Sequence, residues 1–187
     1  MRVLGIDPGS ETTGWGVVEG DARQYKLVDF GTLRAPARES FAARLLKISD
    51  GVEALVTRFR PDTCAVEQAF YAVNVQTAIK LGQVRGVVLV AAERAGLEIG
   101  EYAPRLIKQT VVGYGGAEKQ QVQEMVRVLL RMKEIPQPHD AADALAIAIT
   151  HLHHTSPAHR AATQDAPPAR KQLEALLRAN PRRRAPR

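Results

Sequence analysis

The feature that most limits how this chain can fold is a change of hydrophobic period near residue 39. Before it, Arg2–Asp7, Thr13–Glu19 and Gln24–Leu33 read as three short strands, punctuated by Pro8-Gly9 and Gly20-Asp21. After it, Phe41, Leu45, Ile48, Val52, Leu55 and Val56 recur at helical spacing within 39–59, and Pro61 ends that helix. Thr63–Glu67 is then a brief buried strand, 74–95 a long helix and 97–103 another strand, with helices at 104–112, 117–132 and 140–153. A meander followed by strands alternating with helices predicts an α/β fold. Its sheet is mixed and five-stranded, three strands forming the antiparallel meander and the others running parallel, with helices on its flanks.

Charge divides the chain. Eight of the 26 basic residues but only two of the 20 acidic ones lie from Thr155 to Arg187, leaving 18 of each sign in the first 154 residues. The same stretch is rich in Pro, Arg and Ala, so one domain over 1–154 and a basic, flexible tail over 155–187 are expected. Such a tail attracts phosphate or simply aids solubility, and a neutral body is compatible with acids gathered at a metal site. Cys64 is the sole cysteine, which rules out an intrachain disulfide. Met1–Asp7 lacks the apolar run of a signal peptide, and Val87–Ala92 is too short to cross a bilayer. The expectation is a cytoplasmic protein with no membrane partner.

Four acids stand out. Asp7 and Glu67 close two strands, at the carboxyl ends where open α/β sheets place their sites. Asp140 and Asp143, three apart at the start of the last helix, share one of its faces. Plainer roles exist: Asp7 as a turn residue before Pro8-Gly9, Asp140 as an N-cap with Asp143 behind it. Glu67 fits no such role, since an acid beside Thr-Cys-Ala-Val is costly unless paired or bound to a cation. If all four converge, their hard oxygens suit Mg²⁺ or Mn²⁺, and two such ions serve phosphodiester hydrolysis. Gly5–Ser10 is similar to the first phosphate loop of actin-like ATPases and sugar kinases, but those enzymes are about twice this length and no second loop is visible. Gly113–Lys119 lacks the Gly-Lys-Ser/Thr ending of a Walker loop, so ATP use is not expected.

Five motifs occur in order: Gly5-Ile6-Asp7-Pro8-Gly9, Val66-Glu67-Gln68-Ala69-Phe70, Lys80-Leu81-Gly82-Gln83-Val84-Arg85-Gly86, Lys108-Gln109-Thr110-Val111-Val112-Gly113 and Asp140-Ala141-Ala142-Asp143-Ala144-Leu145-Ala146. Together they resemble the RuvC family of Holliday-junction resolvases, over roughly residues 1–154. The resemblance implies a ribonuclease H-like fold and a structure-specific endonuclease. That enzyme nicks four-way junction DNA in pairs, leaving 5′-phosphate and 3′-hydroxyl ends, in recombination and repair. It implies Asp7, Glu67, Asp140 and Asp143 as catalytic ligands of two Mg²⁺ or Mn²⁺ ions. It implies Phe70 as a base-stacking residue near the junction centre, and Lys108 and Lys119 as DNA-binding residues near the scissile phosphate. It also implies a homodimer working beside a branch-migration complex. The helix over 74–95, with Val75, Ala78, Ile79, Val87 and Leu89, is the candidate dimer interface.

Some relatives carry His where this chain has Asp140, and His139 is its neighbour; Asp140 is kept as the ligand because it preserves the three-residue step to Asp143. His151, His153 and His154 read as surface residues compatible with a helix C-terminus. The competing readings are another ribonuclease H-like nuclease, such as one cutting RNA in a hybrid, and a junction-binding module without catalysis.

Overall fold

The computed structural model describes residues 1–68 and 74–155, so Phe70 and nearly all of the basic tail lie outside the described residues. Five strands and five helices follow one another as β1 (Arg2–Asp7), β2 (Thr12–Gly20), β3 (Tyr25–Arg34), α1 (Phe41–Phe59), β4 (Thr63–Glu67), α2 (Val75–Arg94), β5 (Glu98–Tyr102), α3 (Pro104–Val112), α4 (Lys119–Leu129) and α5 (His139–Thr155). They form one sheet in the order β3-β2-β1-β4-β5. The meander β1-β2-β3 is antiparallel, and β4 and β5 extend it in parallel from β1. This is the mixed five-stranded sheet that the period change predicts.

Strand alternation divides the core in two. Val3, Val18 and Ala65 face α3, α4 and α5, meeting Ile107, Val126, Leu145 and Ile149. Leu4, Ile6, Val17, Cys64 and Val66 face α1 and α2, meeting Ile48, Val52, Val84 and Val88. β1 is therefore covered on both sides, which is why Arg2–Asp7 is a nearly unbroken apolar run.

Local polar groups set the helix ends. Ser40 Oγ accepts from the Ala43 N–H, so α1 starts at Phe41, two residues later than its periodicity indicates. Asn74 Oδ1 likewise accepts from the N–H groups of Gln76 and Thr77 at the head of α2. α4 is shorter than the expected 117–132: Gln121 Oε1 accepts the Glu118 N–H at its start, and Arg131 beyond its end sits at φ 53°. α5 starts at His139, so Asp140 lies within the first turn and is not the N-cap.

α5 lies directly on the sheet. A methyl group on Gly5 would overlap the Ala144 carbonyl oxygen, and one on Gly14 the Asp140 carbonyl oxygen. No side chain separates helix from strands at these points.

α2 is anchored unevenly. Its Val84, Val88, Ala91 and Ala92 are buried, and Arg85 pairs with Glu101 of β5. Its first turns stand in solvent, with Val75 74% and Ile79 57% exposed. Of the five apolar residues expected at an interface, Val75, Ala78 and Ile79 are exposed, while Val87 and Leu89 are half-buried. Length and hydropathy alone would let α2 cross a bilayer, yet a buried flank ties it into the domain core.

Candidate metal centre

The carboxyl ends of β1 and β4 lie side by side, because Ile6 registers with Val66 in a parallel pair. That register sets Asp7 beside Glu67. The close approach at Gly14 brings the first turn of α5 over the same point. Asp7, Asp140 and Asp143 each present a ligand atom, and the three atoms lie within 4.8 Å of one another. Glu67 joins them through a hydrogen bond with Asp7.

The electrostatics follow from this crowding. Burial first, then repulsion from Glu67, Asp143 and Asp140, pushes the Asp7 carboxyl up to about 8, with Lys119 opposing. Burial and then Asp143 also raise Glu67, while the bond from Asp7 and the charges of Lys119 and Lys108 hold it down. Without a cation, therefore, Asp7 keeps its proton near neutrality and donates it to Glu67. A set of acids that tolerates full ionisation only beside added positive charge fits a divalent ion with oxygen ligands.

Lys119, the first residue of α4, sets its Nζ 2.7 Å from Asp143 Oδ2. Burial opposes its charge, but the hydrogen bond and charge of Asp143, helped by Asp7 and Asp140, raise its pKa. Lys108 of α3 lines the same cavity of about 210 Å³ as Glu67, Lys119 and Asp143, with Pro104, Ile107 and Val122 among its apolar walls. Six of the seven residues singled out from the sequence thus surround one centre; the seventh, Phe70, lies outside the described residues.

The sequence reading missed the histidines. His151 is only 2% exposed and lies against Gly100, with Nδ1 3.0 Å from the Tyr102 hydroxyl. His154 Nε2 is 3.0 Å from Thr110 Oγ1. His151 is a core residue of α5 rather than a surface one. The signal available was Gly100, a small residue in a strand, which leaves room for a large ring from the facing helix.

Asp7 gives a pH prediction for the metal-free protein. Its folded value is raised above the unfolded one, so the folded state holds more protons between about 4 and 8 and stability falls as pH rises through that window. The expected slope is up to about 1.4 kcal/mol per pH unit. Thermal melts in chelator from pH 5 to pH 8 should show a falling midpoint, and a flat profile would contradict a shared proton at Asp7.

A family model for "Crossover junction endodeoxyribonuclease RuvC" matches residues 3–151. A Chloroflexus aggregans protein of that name is 53% identical over 153 residues, covering 82% of this chain and 93% of its own length. Among solved structures, Thermus thermophilus RuvC in complex with a Holliday junction substrate superposes with a TM-score of 0.80 at 38% identity, covering 85% of this chain and 97% of that one. The yeast mitochondrial Holliday junction resolvase Ydc2 shares the fold, with a TM-score of 0.59 at 14% identity, covering 81% of this chain and 78% of its own.

Proposed function

Because the chain belongs to the RuvC family of crossover junction endodeoxyribonucleases, ribonuclease H-like enzymes that resolve Holliday junctions, we propose that Asp7, Glu67, Asp140 and Asp143 hold two divalent cations, Mg²⁺ or Mn²⁺, at its cutting site. The observation that carries this reading is the convergence of three carboxylates within 4.8 Å, with Glu67 bonded to one of them. Bound there, such ions would supply Lewis-acid polarisation of a phosphodiester and activation of water.

The protein's own groups do the rest. Burial and the neighbouring acids hold the proton on Asp7, and positive charge added at the site would oppose both, so that Asp7 would serve there as a carboxylate. Lys119, freed from Asp143, faces the negative charge that grows on the phosphate as the bond breaks. Lys108, which lines the same cavity from α3, holds the strand by charge. The apolar residues Pro104, Ile107 and Val122 limit water in the cavity, which strengthens both interactions.

The test is cleavage of a synthetic four-way junction beside a linear duplex of the same sequence, with Mg²⁺, Mn²⁺ or chelator. Symmetric nicks on the junction alone, lost in chelator, are expected. A junction bound but left whole under both metals would favour a binding module instead, and cutting of an RNA–DNA hybrid in its place would favour the other nuclease.

Two equivalent strands must be cut, and a two-fold pair of sites matches them, so the working form we propose is a cytoplasmic homodimer acting beside a branch-migration complex. The exposed side of α2 supports this: Val75 and Ile79 stand in solvent on its first turns, and further along Val87 and Val90 line an open groove with Leu45 and Leu46 of α1. Val90→Asp is expected to weaken self-association at least about tenfold, by burying a charge where an aliphatic group packed. Sedimentation of wild type and variant over a concentration series would measure it. Unchanged dimerisation would place the interface elsewhere.

A further inference from the structure

The loop Gly113-Tyr114-Gly115-Gly116 between α3 and α4 takes no part in the carboxylate centre, yet Tyr114 is the only exposed aromatic residue among those described, at 50%. Its ring does not hang free. The Tyr114 hydroxyl donates to Gln121 Oε1 at 2.7 Å, and the same oxygen accepts the Glu118 N–H at 2.8 Å. One amide oxygen therefore fastens the ring to the first turn of α4, the turn whose opening residue, Lys119, reaches Asp143.

Cations lie on the elements that the loop joins. Gly113 turns the chain out of α3 at φ 100°, which a larger residue adopts only with strain. Gly115 leaves the space that the stem of exposed Arg105 fills from α3, so a guanidinium-bearing side chain runs along the loop. Arg105 thus lies against the loop that carries the ring, Lys119 opens the turn to which the ring is fastened, and Lys108 lines the cavity with Lys119. An aromatic face held in place among cations is how proteins grip nucleic-acid strands without relying on sequence. Holding the ring in advance also lowers the entropy lost on binding.

We propose that Tyr114 is a DNA-contacting residue, stacking on a base of the strand that passes the metal centre. This rests on the nuclease reading above. It adds a contact on the α3–α4 side, separate from the segment that carries Phe70.

The measurement is the affinity of a labelled four-way junction in chelator, across a series of salt concentrations, with thermal melts of each variant alongside. Tyr114→Ala is expected to bind roughly 5- to 100-fold more weakly. Its slope of log affinity against log salt should match wild type, because no charge is lost at a phosphate. Tyr114→Phe, which keeps the π face but loses the bond to Gln121, should fall between wild type and alanine, and Tyr114→Leu, which keeps bulk without a π face, should fall with alanine. Wild-type affinity in the alanine and leucine variants, or a loss in phenylalanine equal to that in alanine, overturns the inference while leaving the nuclease reading intact. Failure of the wild type to bind any junction removes both.

Discussion

Asp7→Asn is expected to stop junction cutting, leave the junction bound, and make the metal-free protein harder to melt at neutral pH. The first effect follows from the position of Asp7, whose ligand atom lies within 4.8 Å of those of Asp140 and Asp143. Losing that anionic oxygen removes several kcal/mol of transition-state stabilisation, a fall of about 10³-fold or more in single-turnover rate. The second follows because Lys108 and Lys119, the lysines proposed to hold the strand, are untouched. The third follows from burial and from three acids pushing on a fourth, which raise Asp7 to about 8. An amide has no proton to take up on folding, so the variant escapes the cost of protonating a carboxyl that is ionised in the unfolded chain at this pH, as stability–activity trade-offs at strained sites lead one to expect. Cleavage, binding and melting in chelator at pH 8 read the three effects separately. A variant that cuts at wild-type rate would remove Asp7 from the centre.

Gly14→Ala carries the other large effect, without touching a charged group. Its methyl would overlap the Asp140 carbonyl oxygen in the helix above, so α5 must lift or tilt where both of its acids are attached. Overpacking of this kind costs about 1–3 kcal/mol, or several degrees of melting temperature in a domain of this size. Displacing Asp140 and Asp143 by even about 1 Å should lower the cutting rate by about 100-fold. Melting and single-turnover cleavage measure the two losses. A destabilised variant with undiminished cutting would show that the acids do not depend on this contact.

What the sequence revealed, and what it hid, follows from the reach of each signal. β1 and β4 are where Arg2–Asp7 and Thr63–Glu67 were expected, because an apolar run covered on both faces has only one way to be a strand. Asp7 and Glu67 were legible for the same reason, since each closes such a run. The capping role for Asp140 was a fair local reading and failed for a reason no local pattern contains: α5 begins one residue earlier, at His139. His151 was hidden because helical spacing says which residues share a face, but not that Gly100 on another element opens a space for the ring. The Lys119–Asp143 bond was equally invisible to pattern, as it joins the heads of two helices separated by a loop. Tyr114 drew notice only as part of a glycine-rich string that was not a phosphate loop.

The direct contact of α5 with β1 and β2 has a consequence for how such an enzyme meets a four-armed substrate. Where two elements touch through interdigitated side chains, rotamer changes let them slide; where backbone rests on backbone, that lubricating layer is missing at the contact. Asp7, Asp140 and Asp143 are thus fixed to one stiff block, and changing their spacing would mean warping the central strands. The protein supplies an anvil, and the bending needed to seat a strand on it falls to the DNA, whose arms are far more compliant than the block they are pressed against.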